Sequence, residues 1–104
     1  MKQNEASLSR YKEQIKMYNY EAERAYLFTE IGQVMFLAIR DNVKYLLETS
    51  GACTMGKAIH CNISGNTWQM MACVDRLVEL KEIAEIPQHS DGRGQDRVFA
   101  KKER

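Results

Sequence analysis

The feature that most constrains this chain is the stretch from Glu5 to Glu48. It contains no proline and a single glycine, Gly32. Glu, Ala, Lys, Arg, Leu and Met are frequent there, all good helix formers. Apolar or small residues recur at Leu8, Tyr11, Ile15, Tyr18, Ala22, Ala25, Thr29, Gly32, Phe36, Ile39, Val43 and Leu46. The steps alternate three and four, which is the rhythm of a helix with one packed seam. The seam is weak in its middle, where Ala, Thr and Gly stand in for Leu. The spacing predicts an amphipathic helix, broken near Gly32, whose first part pairs with a second copy and whose second part enters the core.

Punctuation sets the rest. Thr49-Ser50-Gly51 ends the helix, glycine supplying a left-handed cap. Thr54 caps a short second helix over Met55–Cys61. Asn62 to Asn66 is a turn, and Ser64 or Asn66 caps a third helix running to about Lys81. Trp68, Met70, Met71, Val74, Leu77, Val78 and Leu80 give that helix a wide apolar face. Ile83 to Gln88 alternates like a strand, His89 to Gln95 is a turn by composition, and Asp96 to Lys101 is the returning strand of a hairpin.

At 104 residues the chain is sized for one domain. No apolar run approaches the length of a membrane span, and the polar opening MKQNEASLSRYK argues against a secretory signal, so a cytoplasmic protein is expected. Three cysteines, Cys53, Cys61 and Cys73, suit free thiols in a reducing compartment. The net charge is +1, which gives no general attraction to nucleic acid. The positive excess lies at the C-terminal end, where residues 87–104 carry five basic and three acidic groups.

Long helix, short helix, turn, longer helix and hairpin is the order of a winged helix-turn-helix. The segment Asp75-Arg76-Leu77-Val78-Glu79-Leu80-Lys81-Glu82-Ile83 resembles the end of the recognition helix and the first wing strand in regulators of the MarR and ArsR type. Asp91-Gly92-Arg93-Gly94-Gln95-Asp96-Arg97 is similar to their wing tip. Lys81 stands where those families usually have glycine. The resemblance implies a mainly α fold: an N-terminal helical extension over residues 1–34, and a winged helix-turn-helix domain over residues 35–104 with a three-helix core and a two-stranded wing.

It also implies a sequence-specific DNA-binding transcriptional regulator. The helix at about 64–81 would lie in the major groove of double-stranded DNA, the wing at about 83–102 would flank it, and a homodimer through the N-terminal helix would read two half-sites. Asn66, Thr67, Gln69 and Arg76 are then the candidate readers of base edges, since Asn and Gln suit adenine and Arg suits guanine. Arg93, Arg97, Lys101, Lys102 and, on the second helix, Lys57 are the candidate phosphate contacts. The alternative is a winged-helix module that binds protein through its long helix and does not bind DNA. A third reading is a ligand pocket framed by Tyr20, Tyr26 and Phe36.

No enzyme is expected, and no cofactor. Gly51 to Ala58 comes close to the phosphate-binding loop pattern, but Ala58 replaces the hydroxyl that would hold a metal ion. Cys53, His60, Cys61, Cys73 and His89 lack the paired spacings of a zinc site.

Overall fold

The computed structural model describes residues 18–61, 63, 65–86 and 94–102. The elements in order are α1 (Tyr20–Glu23), a 3-10 turn (Arg24–Phe28), α2 (Glu30–Ser50), β1 (Ala52–Thr54), α3 (Met55–Ile59), α4 (Thr67–Glu79), β2 (Ile83–Ile86), a second 3-10 turn (Gly94–Asp96) and β3 (Val98–Lys101). The architecture is mainly helical, with one small antiparallel sheet. Arg93 and the expected seam positions Leu8, Tyr11 and Ile15 lie outside the described residues.

The N-terminal helix is broken, but not at Gly32. The break falls at Thr29, which is extended (φ −82°, ψ 162°) and caps α2 by accepting from the Gly32 amide. Its hydroxyl also donates to the Tyr26 carbonyl at 2.7 Å, tying the end of the 3-10 turn to the start of α2. Gly32 has a different task. A Cβ there would collide with the Tyr26 carbonyl oxygen and approach the Leu27 Cα at 2.9 Å, so only glycine lets the turn fold back so closely. Beyond this point α2 runs unbroken across position 34/35, and the expected extension and domain share one helix.

The core seam of α2 is Gly32, Met35, Phe36, Ile39 and Val43. These residues meet Leu27, Met55, Ala58, Val74, Leu77, Ile83 and Phe99 in one apolar cluster. Gly51 ends α2 at φ 79°, its amide donating to the Leu47 carbonyl.

Sequence gave no reason to expect β1, and the expected two-stranded hairpin is a three-stranded sheet in the order β1-β3-β2. Cys53 faces Phe99, and Glu85 faces Phe99 from the other side. A three-residue strand has no period of its own; it exists because β3 supplies its ladder.

Helix α4 ends as its sequence suggests, with one substitution of means. The Glu82 amide donates to the Leu77 carbonyl and the Lys81 amide to the Val78 carbonyl, the paired bonds of a Schellman cap. The left-handed residue in that cap is Lys81, at φ 63°, where glycine would be unstrained.

Candidate functional site

Asn66 is the N-cap of α4: its side-chain oxygen accepts from the amides of Trp68 and Gln69 at 2.7 and 3.3 Å. It is therefore committed to the helix end that the sequence assigned as a reading position. Thr67 is exposed and Gln69 half-buried beside it. Lys57 is exposed on α3, near a shallow hollow of about 200 Å³ that Ser50, Thr54 and Val98 also line. Lys101 and Lys102 are exposed at the opposite end of β3.

The two arginines are not free. Arg97 clamps α4 to the sheet, with its Nη1 and Nη2 donating to the Asp75 carboxylate at 3.1 and 2.7 Å. Its Nε and Nη2 donate to Glu85 at 3.0 and 2.9 Å. The guanidinium is only 14% exposed and lies 5.2 Å from the centre of the Phe99 ring. Its hydrogen bonds to the Glu85 and Asp75 carboxylates push its pKa further up, so it is a permanent internal cation engaged within the chain.

Arg76 donates to Glu79 at 2.6 Å and lies 5.2 Å from the centroid of Phe28. Arg24 lies 5.0 Å from the same centroid. Phe28 is thus a shared platform for two guanidiniums, a cation–π arrangement.

The segment Tyr18–Phe28 lies over α4. The Tyr18 hydroxyl donates to Asp75 at 2.5 Å, the Tyr20 hydroxyl to Glu79 at 2.8 Å, and Arg24 Nε to both Glu79 oxygens at 3.2 and 3.0 Å. Burial and the acceptor carboxylate push Tyr20 up to about 12, and the same causes raise Tyr18 further. Donors from Tyr20, Arg76 and Arg24 hold Glu79 down to about 2. The signal for this contact was present in the sequence as two tyrosines and an arginine ahead of the break, and Asp75 and Glu79 one turn apart. Only the fold brings the two sets together.

The consequence is a recognition-type helix with no open side along its middle. Ala72, Cys73 and Val74 are each 0% exposed and Met71 is 4% exposed. The four side chains Met71 to Val74 together span about 300° of the helix circumference, so neighbours surround it there. They are α2, α3, β2 and the segment Tyr20–Phe28.

Two further features carry less. Arg40, Lys44, Glu48, Glu82 and Lys101 rim a cavity of about 500 Å³ floored by apolar side chains such as Val43 and Leu77. Two of its charges meet, Arg40 and Glu82, at 3.0 Å. Phe36 is in the core, and Tyr20 and Tyr26 are partly buried against the same cluster. Burial pushes the Cys53 and Cys61 thiols up, and Cys73 to about 12, the opposite of activation. Among the described residues no cluster of ligating side chains suits a metal ion.

The near-match to a phosphate loop is strand β1 followed by α3, with the Lys57 amide already accepted by Thr54 Oγ1 at 3.2 Å. Among the described residues no helix is long and apolar enough to cross a membrane.

Among the described residues, most of the exposed large apolar side chains lie on or just before α2. Ile31 is 68% exposed, Val34 61% and Leu37 53%, with Tyr45 at 63% on the same helix and Phe28 at 52% just before it. Comparison with known protein families, curated proteins and solved structures finds no match.

Proposed function

We propose that this chain is a protein-interaction module with a winged-helix arrangement of elements, and that its working surface is the outer face of α2. One observation carries the reading. The middle of α4 is enclosed on every side, with Ala72 and Cys73 fully buried, whereas Ile31, Val34 and Leu37 on α2 are more than half exposed. A helix that reads bases needs a free face to enter the groove; a helix that docks on another protein needs an apolar one. The arginines beside α4 are also engaged, since Arg97 is paired with Asp75 and Arg24 and Arg76 with Glu79.

The second reading is the sequence-specific, dimeric DNA-binding regulator. It is favoured by the element order and by the strand order β1-β3-β2, in which α4 and the β2–β3 pair stand as recognition helix and wing would. On that reading Thr67, Gln69 and Lys57 are the open contacts, with Arg93 at the wing tip. The segment Tyr18–Phe28 has to leave α4 before the helix can enter a groove.

Capture of fragmented genomic DNA by the purified protein at near-physiological salt separates the two. The interaction reading expects at most weak, uniform capture that disappears with added salt. Enrichment of a few fragments sharing an inverted repeat, abolished by Gln69→Ala with Arg93→Ala, would replace it with the DNA-binding one.

A further inference from the structure

The cavity of about 500 Å³ lies where the second half of α2 meets the end of α4, the start of β2 and the end of β3. Arg40, Val43, Lys44 and Leu47 follow one another at helical spacing and share one side of α2. Leu77 comes from the last turn of α4, and Ile83 opens β2 opposite Lys101 at the end of β3. The left-handed Lys81 sets this corner, since only Leu80, Lys81 and Glu82 separate α4 from β2.

The volume suits a small molecule, because ligand pockets run from about 300 to 1,000 Å³. The lining narrows the chemistry. Val43, Leu77 and Ile83 are buried at the floor. The half-buried Leu47 and the aliphatic stems of Arg40, Lys44 and Lys101 make the walls. Among the described residues that line it, none carries an aromatic ring, a hydroxyl or an amide side chain. Nothing there stacks on a base or orients a sugar; the side chains offer aliphatic surface and full charges.

Five charges stand at the mouth. Arg40 Nε and Glu82 Oε1 meet at 3.0 Å and satisfy one another. Lys44, Glu48 and Lys101 remain, all exposed, and among the described residues none of the three is in an ion pair. Glu48, one turn beyond Lys44 on α2, can answer one ammonium and not both. The two lysines come from different walls, α2 and β3, so an anionic head at the mouth is met by both. A cationic head meets one carboxylate and two like charges, which selects against it.

We infer that this cavity binds a small aliphatic carboxylate, its head between Lys44 and Lys101 and its chain along Leu47 toward Val43, Leu77 and Ile83. The site is separate from the outer face of Ile31, Val34 and Leu37, and its failure would leave that face untouched.

Octanoate is the probe, with octanol and octylammonium carrying the same chain under a neutral and a positive head. Binding is followed on the full chain through the methyl NMR signals of Val43, Leu47, Leu77 and Ile83. Octanoate should shift those signals saturably, and octylammonium should bind about tenfold more weakly or not at all. Lys44→Gln with Lys101→Gln, both at exposed positions, should weaken octanoate by about tenfold and leave octanol unchanged. Leu47→Trp, which fills the space, should weaken both.

Equal affinity for octanoate and octylammonium, or an octanoate affinity unmoved by the double substitution, would overturn the inference by removing the lysines from it. Shifts confined to Ile31, Val34 and Leu37 would put the chain on the outer face of α2 and overturn the cavity as the site. No saturable shift with octanoate would overturn it outright.

Discussion

Helices α2 and α4 are the two long elements of the molecule, and they spend their surfaces in opposite ways. Helix α4 is apolar toward the core and acidic toward the segment Tyr18–Phe28, and both sides are filled from within the chain. Helix α2 packs one seam and leaves the other side apolar and open. The sequence alone gives the two helices similar credentials as functional surfaces. The difference lies in what the fold places over each, and it shows that a polar row on a helix is a binding surface only when nothing in the same chain answers it.

That contrast makes Arg97→Ala the most damaging single change. It strands Asp75, 11% exposed, beside Glu85 with no cation between them, and should cost about 3 kcal/mol in urea unfolding. A cost below about 0.5 kcal/mol, the level of an ordinary surface change, would mean that α4 is not held by this clamp. Gly32→Ala comes next. The added methyl meets backbone, which cannot swing aside, and a loss of about 1–3 kcal/mol is expected. An unchanged thermal midpoint would show that the segment before Thr29 does not lie on α2 as described.

The covering of α4 also has a pH signature. Glu79 is held down to about 2, so its bonds stabilise the fold fully above the ordinary glutamate range near 4.3, and that contribution is lost as pH falls from there toward 2. Tyr20 is pushed up to about 12, so its contribution is complete below about 10 and lost as pH rises toward 12. Urea midpoints followed across both ranges should fall at each end. Glu79→Gln should flatten the acid limb and Tyr20→Phe the alkaline one. Limbs unchanged in those variants would place the titrating groups elsewhere.

The smallest stability effects belong to the other side of the comparison and to the cap. Lys81→Gly relieves a left-handed residue and should stabilise by about 0.5–1 kcal/mol. Val34→Lys, on the open face of α2, should move the stability of the isolated fold by less than about 0.5 kcal/mol. A large loss there would show that the side chain is already packed.

The legible parts of this fold were those decided by local chemistry. Gly51, Thr54 and Asn66 each cap a helix end because of their own backbone or side-chain preferences, and a sequence displays those directly. The seam Phe36, Ile39 and Val43 was visible in the same way, as a period. What could not be read is what needs a distant partner. β1 is three residues without a pattern, and its strand character comes from Val98 to Ala100. The break at Thr29 was displaced onto Gly32 because glycine is the commoner sign of interruption; here it marks close approach. At the candidate site, Arg97 and Asp75 sit 22 positions apart and Tyr18 and Asp75 57 apart, so nothing local announced that one would neutralise the other.

The position of β3 between β1 and β2 has a consequence for how the molecule is made. The two outer strands are not hydrogen-bonded to each other, and each depends on the strand that leaves the ribosome after both. As synthesis proceeds, α2, α3 and α4 can gather their apolar faces early. The sheet and the Arg97 clamp wait for residues 97–101, closing loops from Ala52 to Ala100 after the helices have met. Until then, β1 and β2 are raw edges that a neighbouring chain can pair with. The vulnerable interval is therefore the one before β3 takes its place between them.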